Sequence, residues 1–485
     1  MKRLLAFLLI LCSQQLQAQT IYYVSPTGNN SSNGTTLNTP FKTLDYAISK
    51  VSAGSNTTIY LRGGTYVHTA KITINANKSG TATQSIKVYA YPMDATRPLL
   101  DFSSMSEGSS NQGIQVKASY WHIKGIDIKG AGDNGMLIDG GHYNTIEFCS
   151  FYENKDSGLQ IDGGSSNNKI INCDSYYNAD KANGNADGFA VKLDVGSNNY
   201  FKGCRAWYNS DDGWDGYLRG ANNVTTILDS CWVFGSGYLK GGAVSKGNGN
   251  GFKMGGSDDK DLSHHFTLNH CFAAFNRVKG FDQNNNKGSM TINNGTAYSN
   301  SPNFGLRNEE LAAGNKLTIK NTISYVTKAT NVFLASVVAQ NNSWQSPYSI
   351  KAADFLSVDS AGLAGPRGPD GSLPHINLMH LAAGSQFIDK GLDVGLNYLG
   401  TAPDLGAFEY KAAVTQYIFI GPGVWSDASK WLNNNKPPQS VSGAIEIIIR
   451  GNCTFDESAF TLSNGAKILV NENVAFIVPK DLMVQ

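Results

Sequence analysis

A phrase of about eleven residues recurs through the middle of the chain, and it limits the possible folds more than any other feature. The copies read NTIEFCSFYEN, NKIINCDSYYN, NYFKGCRAWYN, TTILDSCWVFGS and FTLNHCFAAFN, and they place a cysteine at positions 149, 173, 204, 231 and 271. A sixth copy, MTINNGTAYSN, has Gly295 at the cysteine position. Repeats at intervals of roughly 20 to 50 residues indicate a solenoid, and the short alternating apolar segments inside each copy indicate strands. The sequence therefore predicts an all-β fold, a parallel β-helix.

Two ladders of identical side chains follow from this fold. In five of the six copies an asparagine stands five residues after the cysteine position, at Asn154, Asn178, Asn209, Asn276 and Asn300. Coils that stack about 4.8 Å apart would place these asparagines in hydrogen-bonded contact and the cysteines in a dry column. Disulfides remain chemically allowed in an exported protein. A column of small apolar thiols nevertheless explains the regular spacing without them.

A second phrase, a glycine followed by alternating residues, falls between the copies. The residue after each glycine is apolar and should point inward: Met136, Leu159, Phe189, Trp214, Phe252, Phe281 and Leu306. The next residue should point outward: Leu137, Gln160, Ala190, Asp215, Lys253, Asp282 and Arg307. This outward row becomes charged in the middle of the solenoid.

The composition divides the chain into three parts. Residues 1–18 have Lys2 and Arg3 before an apolar run and Ala18 at a cleavage site, which predicts a secretory signal peptide. A lipoprotein reading of Cys12 is disfavoured because Leu11 is bulky. Residues 19–412 form the predicted β-helix, with an N-terminal capping helix from Pro40 to Gly54. Residues 413–485 read as a small appended β-rich module of unknown role.

The charge balance limits the partners. Lys plus Arg number 39 and Asp plus Glu number 38, so no global charge favours nucleic acid or an anionic membrane. After the leader, no apolar run is long enough to span a bilayer. We expect an exported monomer, at the cell surface, in the periplasm or free outside.

Four carboxylates fall on two successive predicted coils. Asp187 and Asp212 each precede a coil glycine, so stacking would hold them about 5 Å apart. Asp211 and Asp215 flank the same place. Hard oxygen donors without Cys or His suit calcium. Asp-Gly pairs are also ordinary turn chemistry, but four aspartates in register predict a Ca²⁺ site.

Lys253 occupies the outward position of Asp215 one coil later, so its ammonium should lie close to such an ion. A lysine on an open surface is usually a solvated charge. A neighbouring divalent cation would lower its pKa toward that of a usable base, although Asp215 and Asp282 oppose this. We therefore expect Lys253 to be a catalytic base.

The segments NADGFAVKL, NSDDGWDGY and NGNGFKMGG resemble the core of polysaccharide lyase family 9, and the similarity extends from YYVSPTGNN to APDLGAFEY. The resemblance implies a right-handed parallel β-helix that cleaves pectic polymers by β-elimination. It also implies that Asp187, Asp211, Asp212 and Asp215 bind Ca²⁺ and that Lys253 is the Brønsted base. By charge and position, Arg307 and Lys192 are candidates for binding substrate carboxylates.

Several alternatives stay open. Polygalacturonate and rhamnogalacturonan I would be cleaved by the same residues, so the sequence leaves the pectic substrate undecided. A β-helical polygalacturonase is disfavoured because the chain lacks the Gly-His-Gly and Arg-Ile-Lys phrases of that family. A non-catalytic glycan-binding β-helix is a further alternative, in which calcium would only stabilise the coils. The histidines of HHFTLNH, at 264, 265 and 270, make a poor zinc site because adjacent strand residues face opposite sides.

Overall fold

The computed structural model describes residues 19–307, 309–411 and 415–478. The predicted signal peptide lies outside these residues. Within them, no helix has the length and apolar character that crossing a membrane requires. The chain divides into two compact units between Glu409 and Tyr410, and the larger unit contains the repeats.

The larger unit is a parallel β-helix, as predicted, in which each coil adds one strand to each of three parallel sheets. Sheet 1 has twelve strands: β1 (Thr20–Val24), β2 (Thr57–Leu61), β5 (Ile86–Ala90), β8 (Trp121–Lys124), β11 (Thr145–Glu147), β14 (Lys169–Ile171), β17 (Asn199–Lys202), β20 (Val224–Asp229), β23 (His264–Asn269), β26 (Met290–Asn293), β29 (Leu317–Lys320) and β32 (Val338–Gln340).

The other two sheets have ten strands each. Sheet 2 contains β3 (Gly64–Val67), β6 (Pro98–Asp101), β9 (Asp127–Lys129), β12 (Ser150–Tyr152), β15 (Asp174–Tyr176), β18 (Arg205–Trp207), β21 (Trp232–Phe234), β24 (Phe272–Ala274), β27 (Thr296–Tyr298) and β30 (Ile323–Tyr325). Sheet 3 contains β4 (Ile72–Ile74), β7 (Ile114–Val116), β10 (Met136–Asp139), β13 (Leu159–Asp162), β16 (Phe189–Val191), β19 (Trp214–Asp215), β22 (Phe252–Lys253), β25 (Phe281–Asp282), β28 (Phe304–Leu306) and β31 (Val332–Phe333).

The predicted ladders form the interior and one of its corners. The cysteines at 149, 173, 204, 231 and 271 are buried and unpaired, and the amide of Cys149 lies 3.5 Å from the sulfur of Cys173 one coil later. The asparagines are also buried, and Asn178 Nδ2 donates to Asn209 Oδ1 at 2.9 Å. Asn154 and Asn276 pair with the next coil in the same way, and Asn209 Nδ2 donates to Ser175 O at 3.1 Å, so the buried side-chain amides at the bend have hydrogen-bond partners. The thiols fill space without crosslinks.

The N-terminal helix is shorter than predicted. It spans Leu44–Ser49 (α1), so the predicted start at Pro40 and the predicted end at Gly54 are wrong. Phe41 is held in extended backbone instead, because its amide donates to Tyr23 O at 2.8 Å and its carbonyl accepts from Ser25 N at 2.9 Å. The buried residues of α1 still join the main core, so a helix covers this end as expected.

The smaller unit is itself built from short parallel strands around a separate apolar core that contains Trp425 and Trp431. Its strands are β33 (Thr415–Phe419), β34 (Gly423–Val424), β35 (Ser440–Ser442), β36 (Ile445–Ile449), β37 (Cys453–Thr454), β38 (Thr461–Ser463), β39 (Lys467–Val470) and β40 (Phe476–Ile477). Besides α1, the residues that the structure describes include four 3-10 turns: Ala76–Lys78, Ala352–Asp354, Ala428–Lys430 and Leu432–Asn434.

One buried ion network fastens the irregular segment after β32 to sheet 2. Arg205 makes a bidentate pair with Asp174, at 2.9 and 2.8 Å, and also donates to the carbonyls of Leu363 and Gly365 at 3.0 and 2.9 Å. Arg367 pairs with the same carboxylate at 2.6 Å. The side chains of both arginines are less than 5% exposed (2% and 4%). Asp174 is therefore the counter-charge of two buried guanidinium groups.

We expect Asp174→Asn to lower the free energy of unfolding of the β-helix by about 3 to 5 kcal/mol, because both guanidinium groups lose their charged partner. Denaturant titration followed by circular dichroism measures this loss. Asp393→Asn is the control, since Asp393 is exposed and should change stability by no more than about 0.5 kcal/mol. Equal effects of the two substitutions would contradict the assignment.

Candidate active site

The charged part of the outward row lies on three neighbouring strands of sheet 3. In β16, β19 and β22 the residues Phe189, Trp214 and Phe252 pair in register and point into the core. The residues that follow them are Ala190, Asp215 and Lys253, also in register. The pairing places Asp215 and Lys253 side by side, as the repeat predicts.

The residues before the coil glycines stack in the same way. Gly188 N donates to Asp212 O at 2.9 Å and Gly213 N donates to Asn250 O at 2.9 Å, so Asp187, Asp212 and Asn250 follow one another along the solenoid. Glycine is needed at these bends, because a Cβ on Gly213 would lie 2.1 Å from Val233 Cγ2. The absence of a side chain lets the coils approach and brings the carboxylates together.

Three carboxylates form a compact buried group. Asp187, Asp211 and Asp212 each offer an oxygen, and these oxygens lie within 4.8 Å of one another. Backbone amides hold them in place: Asp187 Oδ1 accepts from Asp212 N at 3.1 Å, and Asp211 Oδ1 accepts from Asn248 N. Asp212 Oδ1 accepts from Asn250 N at 2.8 Å and from Asn250 Nδ2 at 3.0 Å.

Asp215 lies beside this group, between two lysines. Lys253 Nζ is 3.2 Å from Asp215 Oδ1 and 3.1 Å from Asp212 Oδ2. Lys192 Nζ is 2.7 Å from Asp187 Oδ2 and 3.4 Å from Asp215 Oδ2. We call Asp187, Asp211, Asp212 and Asp215 the aspartate cluster. Its oxygens and the two amines form one connected site on the face of sheet 3.

Burial and crowding set the protonation of the aspartate cluster. Burial, with the neighbouring Asp212 and Asp187, raises the pKa of Asp211 to about 9. Burial also raises the pKa of Asp187 to about 6, against the opposing effect of Lys192. For Asp215 burial acts in the same direction, but Lys253 and Lys192 outweigh it and lower its pKa. The site therefore holds more negative charge than its two amines stabilise.

This charge distribution fits a divalent cation. When all four carboxyl groups are ionised, as they would be around a bound cation, four carboxylates and two ammonium groups leave two net negative charges, equal in size to the charge of one such ion. Asp212 Oδ2 is buried, and apart from the Lys253 amine it has no hydrogen-bond partner among the described residues. An all-oxygen donor set of this kind is one that hard cations prefer. The aspartate cluster could therefore hold a metal ion.

The structure brings together six of the seven residues singled out from the sequence, all but Arg307. The Lys192 ammonium contacts Asp187 and Asp215 of the aspartate cluster, and its role in binding substrate carboxylates stays a prediction. The row position predicted for Arg307 was wrong, because Phe281 pairs with Phe304 and Asp282 pairs with Gly305. Gly305 leaves room for the Lys279 side chain, whose Cδ would lie 2.4 Å from a Cβ there. Arg307 lies two residues farther along the chain and is exposed.

Sequence reasoning missed the residues that position the carboxylates. Asn250 occupies the same place before a coil glycine as Asp187 and Asp212, so the repeat contained a signal for it. Ser157 stands in that row one coil earlier, and its hydroxyl donates to Asp187 Oδ2 at 3.2 Å. Asn248 acts through its backbone amide, and no side-chain pattern could have identified it.

The three histidines do not form a metal site. His264 is buried, with Nε2 2.8 Å from Thr226 Oγ1 and Nδ1 2.9 Å from Gly216 O, and burial lowers its pKa to about 4. His265 faces the other side of β23, where its Nδ1 accepts from Ser289 N at 3.0 Å. His270 lies 3.8 Å from Asp229. The expectation that the two adjacent histidines point in opposite directions is confirmed.

Comparison with known proteins gives consistent results. Residues 22–353 match the family model described as Pel9A-like, right handed beta helix region. The chain is 36% identical over 413 residues to Pectate lyase L of Dickeya dadantii (strain 3937), a match that covers 82% of this chain and 93% of that protein. It is 38% identical over 389 residues to Pectate lyase L of Paenibacillus polymyxa (strain SC2), covering 77% and 84%.

Two solved structures are also similar. The crystal structure of pectate lyase Pel9A superposes with a TM-score of 0.74 at 36% identity, covering 81% of this chain and 97% of that one. A rhamnogalacturonan lyase superposes with a TM-score of 0.66 at 29% identity, covering 75% and 97%.

The raised pKa values of Asp211 and Asp187 predict how stability depends on pH. Aspartate has a pKa of about 3.9 in the unfolded chain, so the folded protein binds more protons and loses stability as pH rises toward 9. In a chelating buffer we expect the thermal midpoint to fall between pH 6 and pH 9. A divalent cation should reverse the fall, and most strongly at pH 9. A midpoint that is independent of both pH and cation would contradict this charge balance.

Proposed function

The chain belongs to the Pel9A-like right-handed β-helices of polysaccharide lyase family 9, and we propose that it is a calcium-dependent enzyme that cleaves galacturonate-containing pectin by β-elimination. That it is a polysaccharide lyase follows from the family and from relatives named as lyases. The substrate, the ion and the residue roles are the proposal. The relatives' name, pectate lyase, favours polygalacturonate as the substrate.

The observation that carries the proposal is the contact between Lys253 and two members of the aspartate cluster. Its Nζ lies 3.1 Å from Asp212 Oδ2 and 3.2 Å from Asp215 Oδ1, on the outer face of sheet 3. A base and a cation-binding group this close can act on one sugar ring. That arrangement is what proton abstraction next to a carboxylate requires.

The chemistry follows from the substrate. The hydrogen on C5 of a galacturonate unit is α to the carboxylate, so its removal places a second negative charge on that unit. When bound, Ca²⁺ would supply a positive charge close to the uronate carboxylate and to the charge that develops during the reaction. The C5–H electrons form the C4–C5 double bond, the C4–O bond breaks, and water protonates the departing oxygen. The product is a 4,5-unsaturated uronate.

Lys253 takes the C5 proton on its Nζ, which requires the neutral amine. Burial lowers its pKa, but Asp215 and Asp212 outweigh burial and raise it well above the ordinary value. Engaging these carboxylates in cation binding removes the interaction that keeps Lys253 protonated. The rate of cleavage should therefore increase with pH.

Lys192 and Arg307 remain the candidates for binding substrate carboxylates. Lys192 is only 12% exposed and contacts Asp187 and Asp215, so we propose that it chiefly balances charge inside the site. Arg307 is exposed two residues beyond the outward row. It could meet a uronate farther along the chain of sugars.

A second substrate is favoured by one finding. The similar structure named rhamnogalacturonan lyase matches 75% of this chain. A backbone in which rhamnose alternates with galacturonate still offers the C5 hydrogen α to a carboxylate. We also propose that the enzyme is exported, as the predicted signal peptide indicates, and that it acts as a monomer.

One assay tests the proposal. The purified protein is incubated separately with polygalacturonate and with rhamnogalacturonan I, each with Ca²⁺ and with a chelator. We expect ultraviolet absorbance of the unsaturated uronate to appear with polygalacturonate and Ca²⁺ and to vanish with the chelator. Reducing sugar that forms without this absorbance would indicate hydrolysis and overturn the proposal.

Replacing the proposed base gives a sharper test. We expect Lys253→Ala to lower kcat on polygalacturonate by about 10²- to 10⁴-fold, the usual contribution of a general base. Calcium binding by calorimetry and the circular dichroism spectrum should persist. Lys279→Ala is the matched control, because Lys279 lies on the next coil and pairs with Asp282 at 2.8 Å. A Lys253 variant with undiminished kcat would rule out this residue as the base.

A further inference from the structure

One corner of the β-helix carries a row of six residues, of which three are aromatic and one, between two of the aromatic residues, is a glycine. The row follows the ends of the sheet 2 strands in register, and its members have left-handed backbone: Glu153, Tyr177, Tyr208, Gly235, Phe275 and Ser299. Between the rings of Tyr208 and Phe275 stands Gly235, which has no side chain. The row is therefore interrupted for one coil, at about twice the 4.8 Å spacing between the flanking residues.

The interruption opens into a cavity of about 700 Å³. Tyr208 and Phe275 line it, with Tyr238 from the insertion 237–249 and Ser360 from the irregular segment. The Tyr208 ring lies over the bare backbone of Gly235, 3.0 Å from where a Cβ would stand. The cavity is thus a slot with half-buried aromatic walls.

The ring contacts of both walls involve other coils. Tyr208 stacks on Tyr177 of the preceding coil, with ring centres 6.0 Å apart. Phe275 packs on Tyr298 at 5.2 Å, and the residue that stacks on Phe275 in the row is Ser299 of the following coil. These contacts brace the walls from outside and leave the interior of the slot to a ligand.

A basic side chain stands at the opening. Lys328 lines the cavity and is exposed, and among the described residues no carboxylate forms an ion pair with its amine. Aromatic walls suit the C–H faces of a sugar ring, and an amine at the rim suits a carboxylate. A site of several hundred Å³ with apolar walls and few polar groups is typical of ligand pockets. Together these features fit an acidic saccharide.

The slot and the active site are both contacted by the insertion 237–249, which connects β21 to β22. Tyr238, near its start, lines the slot, whereas the amide of Asn248, near its end, holds Asp211. Asp215 and Lys253 project from sheet 3, whereas the slot opens at the corner between sheets 2 and 3, where Asp211 follows Tyr208 by three residues. No member of the aspartate cluster, and neither of its two lysines, lines the slot. A polysaccharide bound in the slot would therefore leave the aspartate cluster free.

We propose that this slot is a second, non-catalytic binding site for a uronic-acid segment of the polysaccharide. Its identification with pectin rests on the proposed function, whereas the chemistry of the slot requires only a sugar with a carboxylate. Two sites on one chain raise the local concentration of polymer at the active site without a new contact there. The enzyme would stay on its substrate between cleavages.

Affinity electrophoresis of full-length Lys253→Ala protein through gels containing polygalacturonate, with chelator present, tests the slot alone. We expect polygalacturonate to retard this parent, and Lys328→Gln or Ser360→Trp to weaken retention about tenfold. Ser360→Trp fills the slot from an exposed position and removes no internal contact. The control is Tyr143→Ala, since Tyr143 is 51% exposed and stacks on Tyr120, away from the slot.

In the active enzyme, Lys328→Gln and Ser360→Trp should raise KM for the polymer about tenfold and leave kcat on trigalacturonate unchanged. Unretarded parent protein, retention that both variants keep, or equal loss with Tyr143→Ala would overturn the proposal. Lyase activity of the unmodified enzyme is measured separately. Its absence would remove the proposed function while a retention that depends on Lys328 would still support the slot.

Discussion

The in-register stacking of coils is the constraint on which the rest of the structure depends. Parallel pairing at about 4.8 Å repeats every side chain at a fixed place in the next coil, whatever lies in the connecting loops. Where the repeated residue is cysteine or asparagine, the outcome is a stable column. Where it is aspartate, as at Asp187 and Asp212, the same geometry forces like charges together inside the protein. The fold tolerates this because Lys192 and Lys253 enter the same space and because amides of the neighbouring coils bond the carboxylates.

This crowding connects the architecture to the chemistry. Ionising all four carboxyl groups would leave two uncompensated negative charges in a buried position, which costs stability, and a divalent cation would remove that cost. The cation would also release the amine of Lys253 from its carboxylate partners. The same electrostatic conflict therefore favours cation binding and prepares a base beside it. Stability is supplied elsewhere, in the thiol and asparagine columns and in the network of Asp174 with Arg205 and Arg367.

The sequence predicted the features that depend on the repeat, and it failed where a feature depends on contacts between residues far apart in the chain. The β-helix, the columns and the alignment of Asp215 with Lys253 follow from a repeat whose period is visible in the letters. The predicted position of Arg307 is wrong because Phe304 and Leu306 are both apolar and either could point inward. The packing of the Lys279 side chain over Gly305 selects the register, and the sequence does not show it. The predicted start of α1 is wrong because Phe41 forms backbone hydrogen bonds with the end of β1, which lies far from it in the sequence. The contacts of the Lys192 amine with Asp187 and Asp215 could not be predicted from spacing alone, since the direction of this side chain depends on the bend after β16.

The central claim is that stacked coils bring a cation-binding cluster and an amine to face a single uronate. A crystal structure of Lys253→Ala protein with Ca²⁺ and trigalacturonate measures this directly. The account predicts one ion bound by the aspartate cluster, in contact with a sugar carboxylate, and the C5 hydrogen of that sugar directed at the space left by Lys253. An ion outside the cluster, or a sugar whose C5 faces away from position 253, would contradict it.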